Sequence, residues 1–231
     1  MATLDRDEGV VLRMRDYAET DRILTVLTPG HGKLFVLAKG ARRATSRFGG
    51  ALDLANRLQI VYYVRRKGLH LVREVTLLES FPALREDLSR LEAALWGLGL
   101  ADWVLPAETP DASSYARVRA YLGALAGGLD PALGQVAFSL QLLVVAGHRP
   151  RLEGCLACGR QEELTWHPER GGLLCRACGG GGAEVPPKVW KSMSALTRFP
   201  LARAGRLRLD QSTLSHIMGL VEGFWRHQLQ R

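Results

Sequence analysis

All four cysteines of the chain lie in two C-x-x-C pairs, Cys155-Leu-Ala-Cys158 and Cys175-Arg-Ala-Cys178, with sixteen residues between them. Each pair turns two thiolates toward one point, and a loop of that length brings the pairs together, which suits one tetrahedral Zn²⁺. Gly159 and Gly179, each just after its pair, are expected to permit a tight backbone turn. A redox dithiol or a pair of disulfides would use the same residues, but the doubled pattern in an intracellular setting favours zinc. Four thiolates close the coordination shell and leave no position for water, so the metal is expected to be structural. His167, inside the loop, is a possible substitute ligand, and a surface histidine is the plainer expectation.

The rest of the chain is long enough for one large or two modest domains: 231 residues, 47% hydrophobic and 23% charged. Nothing at Met1–Glu8 reads as a basic stretch leading into an apolar run, and no apolar run approaches the ~20 residues that span a bilayer. A soluble, cytoplasmic protein with no membrane partner is expected. The sequence lacks a phosphate-binding G-x-x-x-x-G-K-[ST] loop, a strand-anchored G-x-G-x-x-G and an H-E-x-x-H pair. Scattered carboxylates such as Glu162-Glu163 or Asp5, Asp7 and Glu8 read as solvated charges, so no enzyme is expected.

Short apolar runs bounded by Gly and Pro occupy positions 9–78: Val10–Leu12, Ile23–Leu27, Leu34–Ala38, Gln59–Val64 and Leu69–Val75. Thr28–Gly32 reads as a turn and Arg65–Gly68 as a hairpin tip. About five short strands in a span of this size predict a small barrel, OB-like in the first instance, although an SH3-like barrel carries the same pattern. After Phe81-Pro82 the period becomes helical. Leu84, Leu88, Leu91, Leu95, Leu98 and Ala101 form the expected buried stripe of a first helix, with Trp96 and Trp103 read as core packing. Ser113 or Ser114 is expected to cap a second helix, stopped by Gly127-Gly128; Asp130-Pro131 opens a third and Asp210 a last one. Gly179–Gly182 and Pro186-Pro187 read as a flexible joint. The fold class is therefore α+β: an OB-like five-stranded barrel over 1–80, a helical domain formed by 81–150 and 184–231, and a four-cysteine zinc module inserted at 151–183.

The net charge is +8 and is concentrated at the two ends: residues 1–79 and 184–231 each carry +5, while residues 80–150 carry −2. Arginine supplies 26 of the 31 basic residues, a usage that a GC-rich genome would also produce. Arginine is nonetheless the better phosphate ligand, because its planar fork donates two parallel hydrogen bonds. Lys39, Arg42, Arg43 and Arg47 fall in an expected loop and Arg65, Arg66 and Lys67 at the hairpin tip, with Arg13, Arg15 and Lys33 on the barrel strands. These are the candidate nucleic-acid contacts, with Phe48, Tyr62 or Tyr63 available to stack bases.

The order of these features resembles the bacterial RecO family of DNA-repair recombination mediators. The resemblance is carried by Gly9-Val-Val-Leu-Arg13, Tyr17-Ala-Glu-Thr-Asp-Arg-Ile-Leu-Thr25, Leu27-Thr-Pro-Gly-His-Gly-Lys-Leu34, Ala38-Lys-Gly-Ala-Arg-Arg43, Ser46-Arg-Phe48 and His148-Arg-Pro-Arg-Leu-Glu-Gly-Cys155-Leu-Ala-Cys158-Gly-Arg160. It extends over essentially the whole chain. One departure is Ala18, where the family usually has Gly. Some relatives lack the cysteines, which agrees with a structural metal. The resemblance implies a non-enzymatic protein that binds single- and double-stranded DNA and anneals complementary strands. It also implies action with RecR to load the RecA recombinase onto strands coated by single-strand-binding protein. The acidic tail of that coating protein would need a basic anchor, for which Arg117, Arg119 or the C-terminal segment is expected. A zinc-ribbon protein that binds RNA through its barrel is the alternative, and a nuclease would need a carboxylate cluster with an open metal.

Overall fold

The computed structural model describes residues 3–179 and 181–229. They form two compact units, residues 1–127 and 128–231, with the division between Gly127 and Gly128. Gly127 caps a helix and Gly128 has φ 90°, a conformation that glycine adopts without strain.

The first unit contains five strands, β1 (Leu4–Tyr17), β2 (Asp21–Thr28), β3 (Gly32–Ala38), β4 (Arg57–Tyr63) and β5 (His70–Glu79). They close into a barrel in the order β1-β2-β3-β5-β4. Strand β1 is long enough to pair with β2 through its second half and with β4 through its first, which is what joins the two edges. A bulge between Val11 and Arg13 shifts the register where the strand changes partner. The β3/β5 seam is parallel and only Val36↔His70 and Leu37↔Leu71 long. Val11, Leu24, Val26, Val36, Leu58 and Ile60 fill the interior from alternate positions of their strands.

Helices α1 (Pro82–Arg85), α2 (Leu88–Val104) and α3 (Ala112–Ala126) complete this unit. The buried face of α2 differs from the expected leucine stripe. Ala93, Ala94, Gly97, Leu98 and Ala101 are buried, while Leu88 and Leu95 are exposed. The reason is Tyr121 of α3, which is fully buried and lies so close to α2 that only small residues fit opposite it. Trp103 is likewise exposed, not core, and Trp96 is half-buried. The cap of α3 is Asp111, not either serine: its carboxylate accepts from the backbone N–H of Ser113 and Ser114 at 3.0 and 3.1 Å.

The second unit is built around α4 (Pro131–Val145), whose buried positions run from Leu133 to Leu143 almost without interruption. After it comes a small sheet of β6 (Leu164–His167), β7 (Gly172–Cys175) and β8 (Ala183–Glu184), in the order β7-β6-β8, with the short helix α5 (Arg176–Gly179) following β7. Against α4 pack α6 (Pro187–Arg198), α7 (Leu201–Ala204) and α8 (Gln211–Leu229). Gln141, buried on α4, donates to the carbonyls of Leu196 and Phe199 at 3.1 and 2.7 Å, tying α4 to the end of α6. Asp130 and Asp210 cap α4 and α8 as expected. The α+β class, the five-stranded barrel and the cysteine cluster inserted among helices all appear as the sequence predicts. Among the described residues no helix is long and apolar enough to cross a membrane.

Candidate nucleic-acid interface and metal centre

The sulfurs of Cys155, Cys158, Cys175 and Cys178 lie within 4.8 Å of one another, and those of Cys158 and Cys175 are 3.7 Å apart. Four thiolates about 2.3 Å from a tetrahedral ion would be separated by about 3.8 Å, whereas a disulfide needs about 2.05 Å. The donor set therefore fits a four-thiolate metal ion. The first pair is held by the N–H of Cys155 donating to Arg160 and that of Gly159 donating to Cys155, at 2.8 and 2.9 Å. The second straddles the β7/α5 junction, and the N–H of Leu156 donates to Leu173 at 2.8 Å, joining the two halves. The Cys155 thiol is lowered to about 6, first by the backbone N–H of Cys175 and with burial opposing. Its neighbour Cys178 is pushed up to about 12, first by hydrogen bonding with the Cys175 and Cys158 thiols.

The two glycines serve different ends. Gly159 turns the chain with φ 77°, as expected, but Gly179 is needed because a β-carbon there would lie 2.8 Å from Nε2 of His167. Gly182 packs on the same nitrogen, so the stretch expected to be a flexible joint is fitted around a ring; Gly180 lies outside the described residues. His167 is neither a surface residue nor a ligand. It is buried in β6, with Nε2 3.0 Å from Oγ1 of Thr165 and Nδ1 2.9 Å from Glu169.

On the barrel, the loops after β3 and between β4 and β5 present the expected cations. Lys39, Arg42, Arg43 and Arg47 are exposed on the first, and Arg65, Arg66 and Lys67 on the second. Both loops are pinned at their bases. Arg42 reaches Asp16 at 3.3 Å, and the N–H of Gly40 donates to the Asp21 carboxylate at 2.8 Å. The N–H of Arg65 donates to Nδ1 of His70 at 3.1 Å, which fixes that ring's acceptor nitrogen. Arg13 and Arg15 are exposed on β1.

Three expectations need correction. Lys33 is only 7% exposed, its ammonium donating to the backbone carbonyl of Asp102 and standing 3.4 Å from that residue's carboxylate, so it has no free cation to offer. Phe48 and Tyr62 belong to the barrel core and cannot stack bases. Phe48 instead supports a cation, since the Arg47 guanidinium lies 4.9 Å from its ring centroid. Tyr63 is half-buried, Arg119 is exposed and Arg117 is half-buried on α3.

Two family models together cover nearly the whole chain. The model for the N-terminal part of recombination protein O matches residues 1–81, and that for its C-terminal part matches residues 85–231. The chain belongs to the RecO family of DNA repair proteins. Among its RecO relatives, the DNA repair protein RecO of Rubrobacter xylanophilus is 34% identical over 93% of this chain and 89% of its own length. That of Moorella thermoacetica is 33% identical over 100% of this chain and 88% of its own, and that of Roseiflexus sp. 32% over 98% and 81%.

Proposed function

We propose that this RecO-family protein is a non-enzymatic binder of single- and double-stranded DNA. It anneals complementary strands and acts with RecR to load the recombinase onto strands coated by single-strand-binding protein, in the bacterial cytoplasm. What supports the reading most is the pair of exposed basic loops, residues 39–47 and 65–67, bordering one closed barrel. In a five-stranded Greek-key barrel the loop between the fourth and fifth strands borders the oligonucleotide-binding face. A surface that holds two polyanions lowers their mutual repulsion and releases condensed counterions, which needs neither a nucleotide nor a reactive group.

The bound ion in this reading is one structural Zn²⁺ on Cys155, Cys158, Cys175 and Cys178, supplying the fold of a sheet too small for a core of its own. Arg117, Arg119 and the basic C-terminal segment are the proposed anchors for the acidic tail of single-strand-binding protein.

The test is strand annealing with complementary oligonucleotides, purified protein and no ATP, run against an Arg42→Ala/Arg43→Ala variant. Annealing should proceed, and the variant should bind more weakly, with a salt slope lower by roughly 0.7 for each single-strand phosphate no longer neutralised. Wild-type affinity and slope in the variant would show the loop to be merely solvated, and preference for RNA of the same sequence would favour an RNA-binding role.

A further inference from the structure

Trp103 stands on the outward side of α2 with 58% of its surface exposed. Gly99 lies one helical turn before Trp103 and borders the same depression. A β-carbon on Gly99 would meet nothing within 4 Å, so the space beside the ring on this side of the helix is open. Leu12, Arg13, Gly99, Asp102 and Trp103 together line an open depression of about 550 Å³.

The depression carries surplus positive charge. Arg13 is the more exposed partner of Asp102, at 3.8 Å and with 68% of its side chain in solvent. The same carboxylate already faces the buried ammonium of Lys33 at 3.4 Å. One anion thus meets two cations, and Arg13 keeps most of its hydrogen-bonding fork free. Along β1, Met14 packs toward the barrel core, so Arg13 and Arg15 both project outward. One residue further, Asp16 joins Arg42 and brings the strand to the basic loop.

We propose that Trp103 and Arg13 form a nucleotide-binding step for single-stranded DNA: a base stacks on the indole, its phosphate pairs with Arg13, and the strand continues past Arg15 to the 39–47 loop. A flat apolar face beside an exposed cation complements a group that is flat at one end and anionic at the other. A duplex keeps its bases stacked on one another and cannot use the ring, so this step separates single from double strands, whereas the loops bind both through phosphate. The proposal rests on the DNA-binding reading above and adds to it a strand-selective element outside the loops.

The experiment measures binding of labelled oligo(dT) and of a duplex of equal length to the wild type, Trp103→Ala, Trp103→Phe, Gly99→Leu and Arg13→Ala. These positions are exposed, and thermal melts establish that each variant is folded. Trp103→Ala and Gly99→Leu, the latter by filling the open space beside the ring, should weaken oligo(dT) binding at least about fivefold and leave duplex binding unchanged. Trp103→Phe should retain most of the affinity but lose the quenching of tryptophan fluorescence by oligo(dT), and Arg13→Ala should lower the salt slope. Unchanged oligo(dT) affinity in Trp103→Ala, as expected if the depression seats a protein segment, overturns the proposal while leaving the basic loops intact. Absence of DNA binding by the wild type overturns both.

Discussion

The ring of Tyr121 occupies the space that a side chain on Gly97 would need: a β-carbon there would come within 2.2 Å of Cε1. The same tyrosine donates its hydroxyl to the carbonyl of Ala93, one helical turn away, at 2.7 Å. One residue of α3 therefore fixes both the separation and the rotation of α2. Gly97→Ala should lower the melting temperature, because overpacking costs roughly 1–3 kcal/mol and the better helix propensity of alanine returns only about 1 kcal/mol. A melting temperature equal to or above wild type would show that the ring can move aside.

Asp111 provides a pH signature. Burial pushes its carboxyl upward, but hydrogen bonds from the side chains and backbone of Ser114 and Ser113 outweigh this and hold it below the ordinary carboxylate value. The folded carboxyl is thus the stronger acid. Its contribution is complete above the unfolded value of about 4 and is lost as the pH falls below it. Asp111→Ala should cost about 0.5–2 kcal/mol at neutral pH. Asp111→Asn, which still caps but does not titrate, should melt at nearly the wild-type temperature at pH 7 and show a smaller fall between about pH 5 and pH 3. An unchanged acid slope would contradict this.

Ala18 has φ 50°, in the left-handed region where an L residue is strained by roughly 1–2 kcal/mol. Glycine relieves that strain and returns part of it as chain entropy. Ala18→Gly is expected to raise stability by up to about 1 kcal/mol in urea unfolding, with no change in DNA affinity. Loss of stability would place the strain elsewhere in the turn.

For the metal, protein purified without added zinc should contain about one equivalent, released when a mercurial titrates the thiols. Removing the ion should expose Trp166, which is buried in β6 beside Phe224 at 5.5 Å between centroids. Fluorescence that does not respond to release would mean the sheet holds without its ion. Two disulfides in fresh protein would reject the site outright.

Most of the barrel was legible because β2, β3 and β4 are short apolar runs punctuated by Gly and Pro, whereas β1 showed only as Val10–Leu12, since the residues that lengthen it to Leu4–Tyr17 are largely charged. The cysteines were legible because spacing alone nearly determines a ligand set. Helix α2 was not, since it is apolar on both faces. Leucines normally mark the buried one, but here the neighbouring helix's Tyr121 selects the small residues instead. Lys33, Phe48 and Tyr62 have the right chemistry for a nucleic-acid surface, and only the direction in which each points removes them from it. His167 misled for the converse reason: two glycines and a glutamate, invisible as a group in the sequence, give it a buried and fully engaged position.

The short β3/β5 seam leaves the beginning of β3 paired to β2 on one side but without a strand on the β5 side, and the segment after α2 fills that place. Ala107 bridges to Lys33 in parallel, and the N–H of Glu108 donates to the Lys33 carbonyl at 3.1 Å. An unpaired sheet edge is a template on which a neighbouring chain can extend the sheet. A barrel whose rim is stitched in this way offers a neighbouring copy no free backbone at the start of β3, so copies brought close together do not extend their sheets there.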